Sequence, residues 1–147
     1  MTYKKYSIII PQNNEKVFNL VANVEKYKKF INFCKNTKIL FHNKNVLIAS
    51  INVFLFGIRY DIITKNTHFF PKIIKLEFLN DFISNYKCYW RFHSLNKCLT
   101  KIIFKIENNI FKKIFFKKFL KILFNDMATK ITDSFIRRYE IYDQTVS

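Results

Sequence analysis

The chain has 147 residues, carries 26 Lys and Arg against 10 Asp and Glu for a formal charge of +16, and is half hydrophobic. That is enough apolar chain for a single domain, residues 1–147, to bury its own core, and too much for a disordered segment. One glycine (Gly57) and two prolines (Pro11, Pro71) exclude a glycine-rich phosphate loop, a dinucleotide fingerprint and a Gly- or Pro-rich linker.

Thr2 to Ile10 alternates and stops at Pro11, as a first strand does when a residue that cannot donate to a ladder follows it. Asn13 or Asn14 then offers a helix cap, with Glu15 in the first turn. Val17, Phe18, Val21 and Val24 recur at helical spacing, which predicts a short helix over 14–23. A second helical piece over 24–33 places Tyr27, Phe30 and Ile31 on one side and Lys26, Lys28 and Lys29 on the other.

From Thr37 to Glu107 the pattern becomes one of short runs rich in Ile, Val, Phe and Tyr, separated by polar breaks. Strands are predicted over 39–42, 46–56, 58–68, 73–79, 86–94 and 99–107. Asn43-Lys44-Asn45, Gly57, Pro71, Asn80-Asp81 and Leu95-Asn96-Lys97 mark the breaks between them. Such spacing predicts consecutive antiparallel hairpins and not βαβ units. Between 114 and 139, Phe116, Phe119, Leu120, Leu123, Met127 and Ile131 form one stripe, with Lys117, Lys118, Lys121 and Asn125 opposite. So apolar a stripe needs a concave cover, and the sheet is the available one. The expected fold is α+β: a curved antiparallel sheet of about seven strands around a long C-terminal helix, with two short helices after the first strand.

The charge is discounted before it is used. Lys outnumbers Arg 22 to 4, and Lys, Ile, Asn, Phe and Tyr all have A- and T-rich codons. A protein under that drift turns basic whether or not it meets a polyanion. What remains is local clustering. The run 111–121 holds Lys112, Lys113, Lys117, Lys118 and Lys121, and a second cluster holds Lys26, Lys28, Lys29, Lys35 and Lys38. The first reads as a solvated helical face, as a surface for RNA phosphate, or as a basic membrane-surface segment, and the second, around the early helices, strengthens the polyanion reading.

No apolar run matches a secretory signal or a membrane span, since Lys or Arg interrupts each one. The three widely spaced cysteines, Cys34, Cys88 and Cys98, fit reduced thiols and a cytoplasmic protein. His42, His68 and His93 stand singly, without metal-ligand spacing, and no nucleophile signature is present. Asp61 and Glu77 lie in predicted strands without forming an acid/base pair. Neither a catalytic residue nor a metal site is expected. Phe54, Phe56, Tyr60, Trp90, Phe92, Phe119 and Leu123 are taken to point between sheet and helix, where they either line an apolar pocket or fill the core.

Pro11, then Val17-Phe18-x-Leu20-Val21-x-x-Val24-x-x-Tyr27-x-x-Phe30-x-x-x-Cys34, resembles the opening signature of the RatA and coenzyme-Q-binding START-like family, of polyketide cyclase/dehydrase type. Gly57-Ile58, Trp90-x-Phe92, Phe135 and Arg138 extend the resemblance over roughly residues 3–142. It departs at Lys28, Asn32, Asp81-Phe82, Cys88 and Tyr89, where family members carry proline or glycine. The resemblance implies a helix-grip fold without chemistry of its own. Its toxin branch implies binding to the large ribosomal subunit, blocked subunit joining and an antitoxin partner. Its coenzyme-Q branch implies a pocket for ubiquinone or another lipid.

Overall fold

A computed structural model describes residues 2–29, 31–55, 57–84, 86–108 and 118–132. Strand β1 (Thr2–Ile10) leads into helix α1 (Asn14–Ala22) and a 3₁₀ helix (Val24–Lys29). Six strands follow: β2 (Cys34–Asn43), β3 (Val46–Leu55), β4 (Ile58–Phe69), β5 (Ile73–Phe78), β6 (Tyr86–Asn96) and β7 (Leu99–Asn108). A one-turn 3₁₀ helix (Asp81–Ile83) separates β5 from β6. Residues 118–132 are helical and are called α2. The predicted flanks of that helix, 114–117 and 133–139, lie outside the described residues, as do Phe30, Phe56, Phe135 and Arg138.

The seven strands form one sheet in the order β1-β7-β6-β5-β4-β3-β2, with every pairing antiparallel. Strands β2 to β7 are a simple meander, and β1 joins at the far side of β7. The turns follow the local chemistry of the chain. Asn13 caps α1, its side-chain oxygen accepting the Glu15 N–H at 2.8 Å. Lys44 takes a positive φ of 51° in the β2–β3 hairpin, and Gly57 takes 80° between β3 and β4, a conformation glycine adopts without a steric cost.

Alternation then sets the two faces of the sheet. Tyr86, Cys88, Trp90 and Phe92 of β6 are buried, as are Thr100, Ile102, Phe104 and Ile106 of β7. Phe119, Leu120, Leu123, Phe124, Met127 and Ile131 of α2 close over them, while Lys118, Lys121 and Asn125 are exposed. The seam is aromatic. Trp90 and Phe104 rings are 4.4 Å apart, Phe124 lies 6.0 Å from each of them, and Tyr6 stacks on Phe124 at 5.3 Å. Offset contacts of this kind add about 0.5–1.5 kcal/mol each beyond simple area burial.

Two sequence expectations change. The second helical piece stops at Lys29, because Cys34 is already paired with Val53 at the edge of the sheet. For the same reason β2 begins at Cys34, five residues before the first apolar residue of the run that predicts it. An edge strand takes its length from its partner, and β3 is long enough to hold all of it.

Candidate functional site

A cavity of about 30 Å³ remains between the inner face of the sheet and α2. Trp90, Phe119 and Leu123 line it together with Tyr27, Phe33 and Met127. Its polar component comes from β4, whose inward positions alternate Ile62, Thr64, Asn66, all buried. The Asn66 amide donates to the Thr64 hydroxyl oxygen at 3.2 Å and to the Leu47 carbonyl at 3.4 Å. Thr64 and Asn66 are missing from the residues singled out by sequence, although the two-residue period of β4 carries the signal. A small polar pair in an apolar wall is how ligand pockets fix orientation. The space itself is enough for one or two waters, against about 300–1,000 Å³ for a drug-sized ligand.

The other residues expected in this cavity are placed elsewhere. Phe54 is corrected: it is 42% exposed on the outer face, because Val53 points inward and successive strand residues alternate. Its ring lies 6.0 Å from both the Lys35 ammonium and the Arg59 guanidinium. Phe92 is buried, but it packs edge-on against Phe18 of α1 at 5.4 Å and does not line the cavity. Tyr60 is half-buried against the core and does not line the cavity. Phe56 lies outside the described residues.

The ionisable groups near the cavity are held in their neutral forms. Burial pushes the Tyr27 phenol up, with Cys34 adding to the effect, and its hydroxyl donates to the Val21 carbonyl. Burial also pushes the Cys34 thiol up, against a smaller opposing pull from the Asn36 backbone and Lys28. The Cys88 thiol is raised by burial and then by Glu107. Thiols held this way carry little thiolate, the reactive form. Burial, and secondarily His42, pushes the His68 imidazole below its ordinary value, and its Nε2 is buried without a hydrogen-bond partner.

The basic surface lies beside this region. Lys26, Lys28 and Lys29 are exposed on the 3₁₀ helix, as are Lys35 and Lys38 on β2 and Lys118 and Lys121 on α2. Lys112, Lys113 and Lys117 lie outside the described residues. The two clusters are far apart in sequence but sit on adjoining elements. Phe33, just after the 3₁₀ helix, meets Phe119 of α2 with ring centroids 5.0 Å apart. Burial raises the Asp126 pKa, and the nearby Asn32 backbone opposes that rise. Among the described residues no helix is long and apolar enough to cross a membrane.

The chain is similar to the ribosome association toxin RatA of Vibrio cholerae, with 24% identity over 132 residues that cover 90% of this chain and 91% of the relative. It is also similar to the persistence and stress-resistance toxin PasT of Escherichia coli O6:H1, with 22% identity over 135 residues, 91% of this chain and 85% of that one. A START superfamily protein from Mycobacterium smegmatis has the same fold, with a TM-score of 0.70 at 14% identity over 88% of this chain and 96% of the other. The ZhuI aromatase/cyclase from Streptomyces sp. R1128 matches with a TM-score of 0.64 at 13% identity, over 71% of this chain and 66% of the other. These structures establish the helix-grip architecture. The family model for polyketide cyclase / dehydrase and lipid transport proteins matches residues 10–136. The chain belongs to that family.

Proposed function

We propose that this protein is a ribosome association factor of the RatA kind, which binds the large ribosomal subunit and blocks its joining to the small one. The reading is supported first by end-to-end similarity to two toxins, one of them named for ribosome association. In this proposal the protein acts by occupying a surface, without chemistry of its own, and an antitoxin protein is its second partner. Lys26, Lys28 and Lys29, with Lys118 and Lys121, supply the contact to RNA phosphate. These side chains are exposed on adjoining elements, as a salt-sensitive phosphate contact needs. Sedimentation of a lysate at stepped salt concentrations tests it. The protein should travel with large subunits at low salt and leave them as salt rises, and absence from that fraction at every salt concentration overturns the reading.

A second reading, carriage of ubiquinone or another lipid, draws on the apolar cavity wall and its Thr64–Asn66 pair. At about 30 Å³ the cavity would have to open by displacement of α2 before a quinone ring could enter. Native mass spectrometry of the freshly purified protein decides this reading. A lipid-sized mass increment supports it, and a bare polypeptide mass counts against it.

A further inference from the structure

Away from the lysine clusters, an open groove of about 290 Å³ runs between the first turn of α1 and the strands β5 and β6. Its lining includes Asn14, Lys72, Arg91, Phe92 and His93. The backbone fixes its shape. The Phe92 N–H donates to the Lys72 carbonyl at 2.8 Å, and the Asn14 amide reaches the Pro71 carbonyl at 3.5 Å, tying the start of α1 to the entry of β5. Arg91 and His93 are two residues apart on β6 and share its outer face, since Trp90 and Phe92 face inward.

The charges here are one-sided. Among the described residues no carboxylate lines the groove. In the sheet register Arg91 lies between Ile73 and Ile103, and His93 lies opposite Lys101. Farther along the same face the cations have acids beside them. Lys75 is 3.8 Å from Glu77, Lys105 is 3.1 Å from Glu107, and Lys87 sits across from both glutamates. Basic groups gathered in a concavity without acids repel one another and are left to be neutralised by an anion. Arg91 offers the planar fork that pairs with a phosphate through two parallel hydrogen bonds, and Lys72 adds a mobile point charge. The groove is slightly smaller than the about 300–1,000 Å³ of drug-sized sites, so it holds a phosphate with its attached sugar and little more. The Ser94 hydroxyl is already committed to the Asn96 carbonyl at 3.1 Å, so it is not among the donors.

We propose that this groove is a phosphate-binding site, with Arg91 and Lys72 as its principal ligands and His93 at its edge. It goes beyond the subunit-binding reading and is tested without ribosomes. Two probes distinguish the source of the phosphate, uridine 5′-monophosphate and a single-stranded RNA decamer, each titrated into the full chain by calorimetry. Arg91→Gln with Lys72→Gln should weaken binding by at least tenfold while circular dichroism stays unchanged. Lys87→Gln, on the same face of the same strand but outside the groove, should stay within twofold of the parent. Mononucleotide binding as tight as that of the decamer identifies a site for a small phosphorylated molecule. Tighter, strongly salt-dependent decamer binding identifies a backbone site. The proposal is overturned if neither probe binds, or if the control loses as much affinity as the double variant.

Discussion

Inside the grip, Trp90, Phe104 and Phe124 lie ring against ring with little exposure, whereas Lys26, Lys28 and Lys29 stand exposed on a 3₁₀ helix. The first set is constrained by volume, since each ring fills space that no other side chain can reach. The second set is constrained by charge alone, because a solvated ammonium packs against very little. Compositional drift toward Lys, Asn, Ile and Phe therefore acts differently in the two places. In the interior it changes which apolar residue fills the core, and on the rim it multiplies cations at small cost in stability. Stability should reside in the interior and recognition on the rim.

The largest test of that division is Phe104→Ala. Phe104 is fully buried and contacts Trp90 and Phe124. Its removal should cost about 3–5 kcal/mol in urea unfolding. A loss below about 1 kcal/mol would mean that α2 is not packed on the sheet as described, and the interior would lose its claim to hold the stability.

The opposite test replaces Lys26, Lys28, Lys29, Lys118 and Lys121 with Gln together. Each exposed site should change stability by no more than about 0.5 kcal/mol. Subunit binding should fall, and the slope of log affinity against log salt should flatten by roughly 0.7–0.9 for each phosphate that the variant no longer neutralises. An unchanged slope would remove these lysines from the interface even if the protein still binds.

The interior is more legible in the sequence than the rim. The α2 stripe follows from i, i+3, i+4 spacing, and the hairpins from breaks at Lys44 and Gly57, because burial imposes a period that composition cannot erase. Phe54 marks the limit of reading aromatics as core. It follows the inward Val53, and strand alternation alone puts it outside. The Thr64–Asn66 pair is hidden because polar residues in a strand are assigned to solvent until their register is known. The Lys72–Arg91–His93 groove joins a turn residue before β5 to two residues of β6, and no spacing along the chain announces such a cluster. The nearest signal is compositional: Arg91 is one of four arginines in a chain with 22 lysines.

Between interior and rim lies Asn80, a polar residue with a structural task. Its side-chain oxygen accepts the Ile63 N–H at 2.8 Å, and its amide donates to the Asp61 carbonyl at 2.9 Å, so it ties the end of β5 to β4. Asn80→Ala should cost about 1–2 kcal/mol through the backbone groups it leaves unpaired. Thermal unfolding measures it, and Asn80→Asp should recover part of the loss, since the carboxylate still accepts from Ile63. An Asn80→Ala variant as stable as the parent would show that water replaces both bonds, and the polar joint would belong with the rim.

His68 sharpens the comparison from the acid side. It lies on β4, half-buried, edge-on to Phe18 at 5.7 Å, with its buried Nε2 unpartnered. Burial and then His42 hold its folded-state pKa below the ordinary histidine value of 6.5. The fold thus favours the neutral ring, whereas the unfolded chain takes up the proton first. This contribution to stability is complete above pH 6.5 and is lost as pH falls from there through the folded-state value. Urea midpoints should drop between pH 7.5 and pH 5.5 (about one unit either side of the ordinary histidine value) in the parent, and drop less in His68→Gln. That variant keeps His42 and His93, so the difference between the two proteins isolates the one imidazole set against the core. Parallel pH profiles would mean that water reaches His68 freely, and that the boundary between packed interior and charged rim runs inside β4 instead of along its edge.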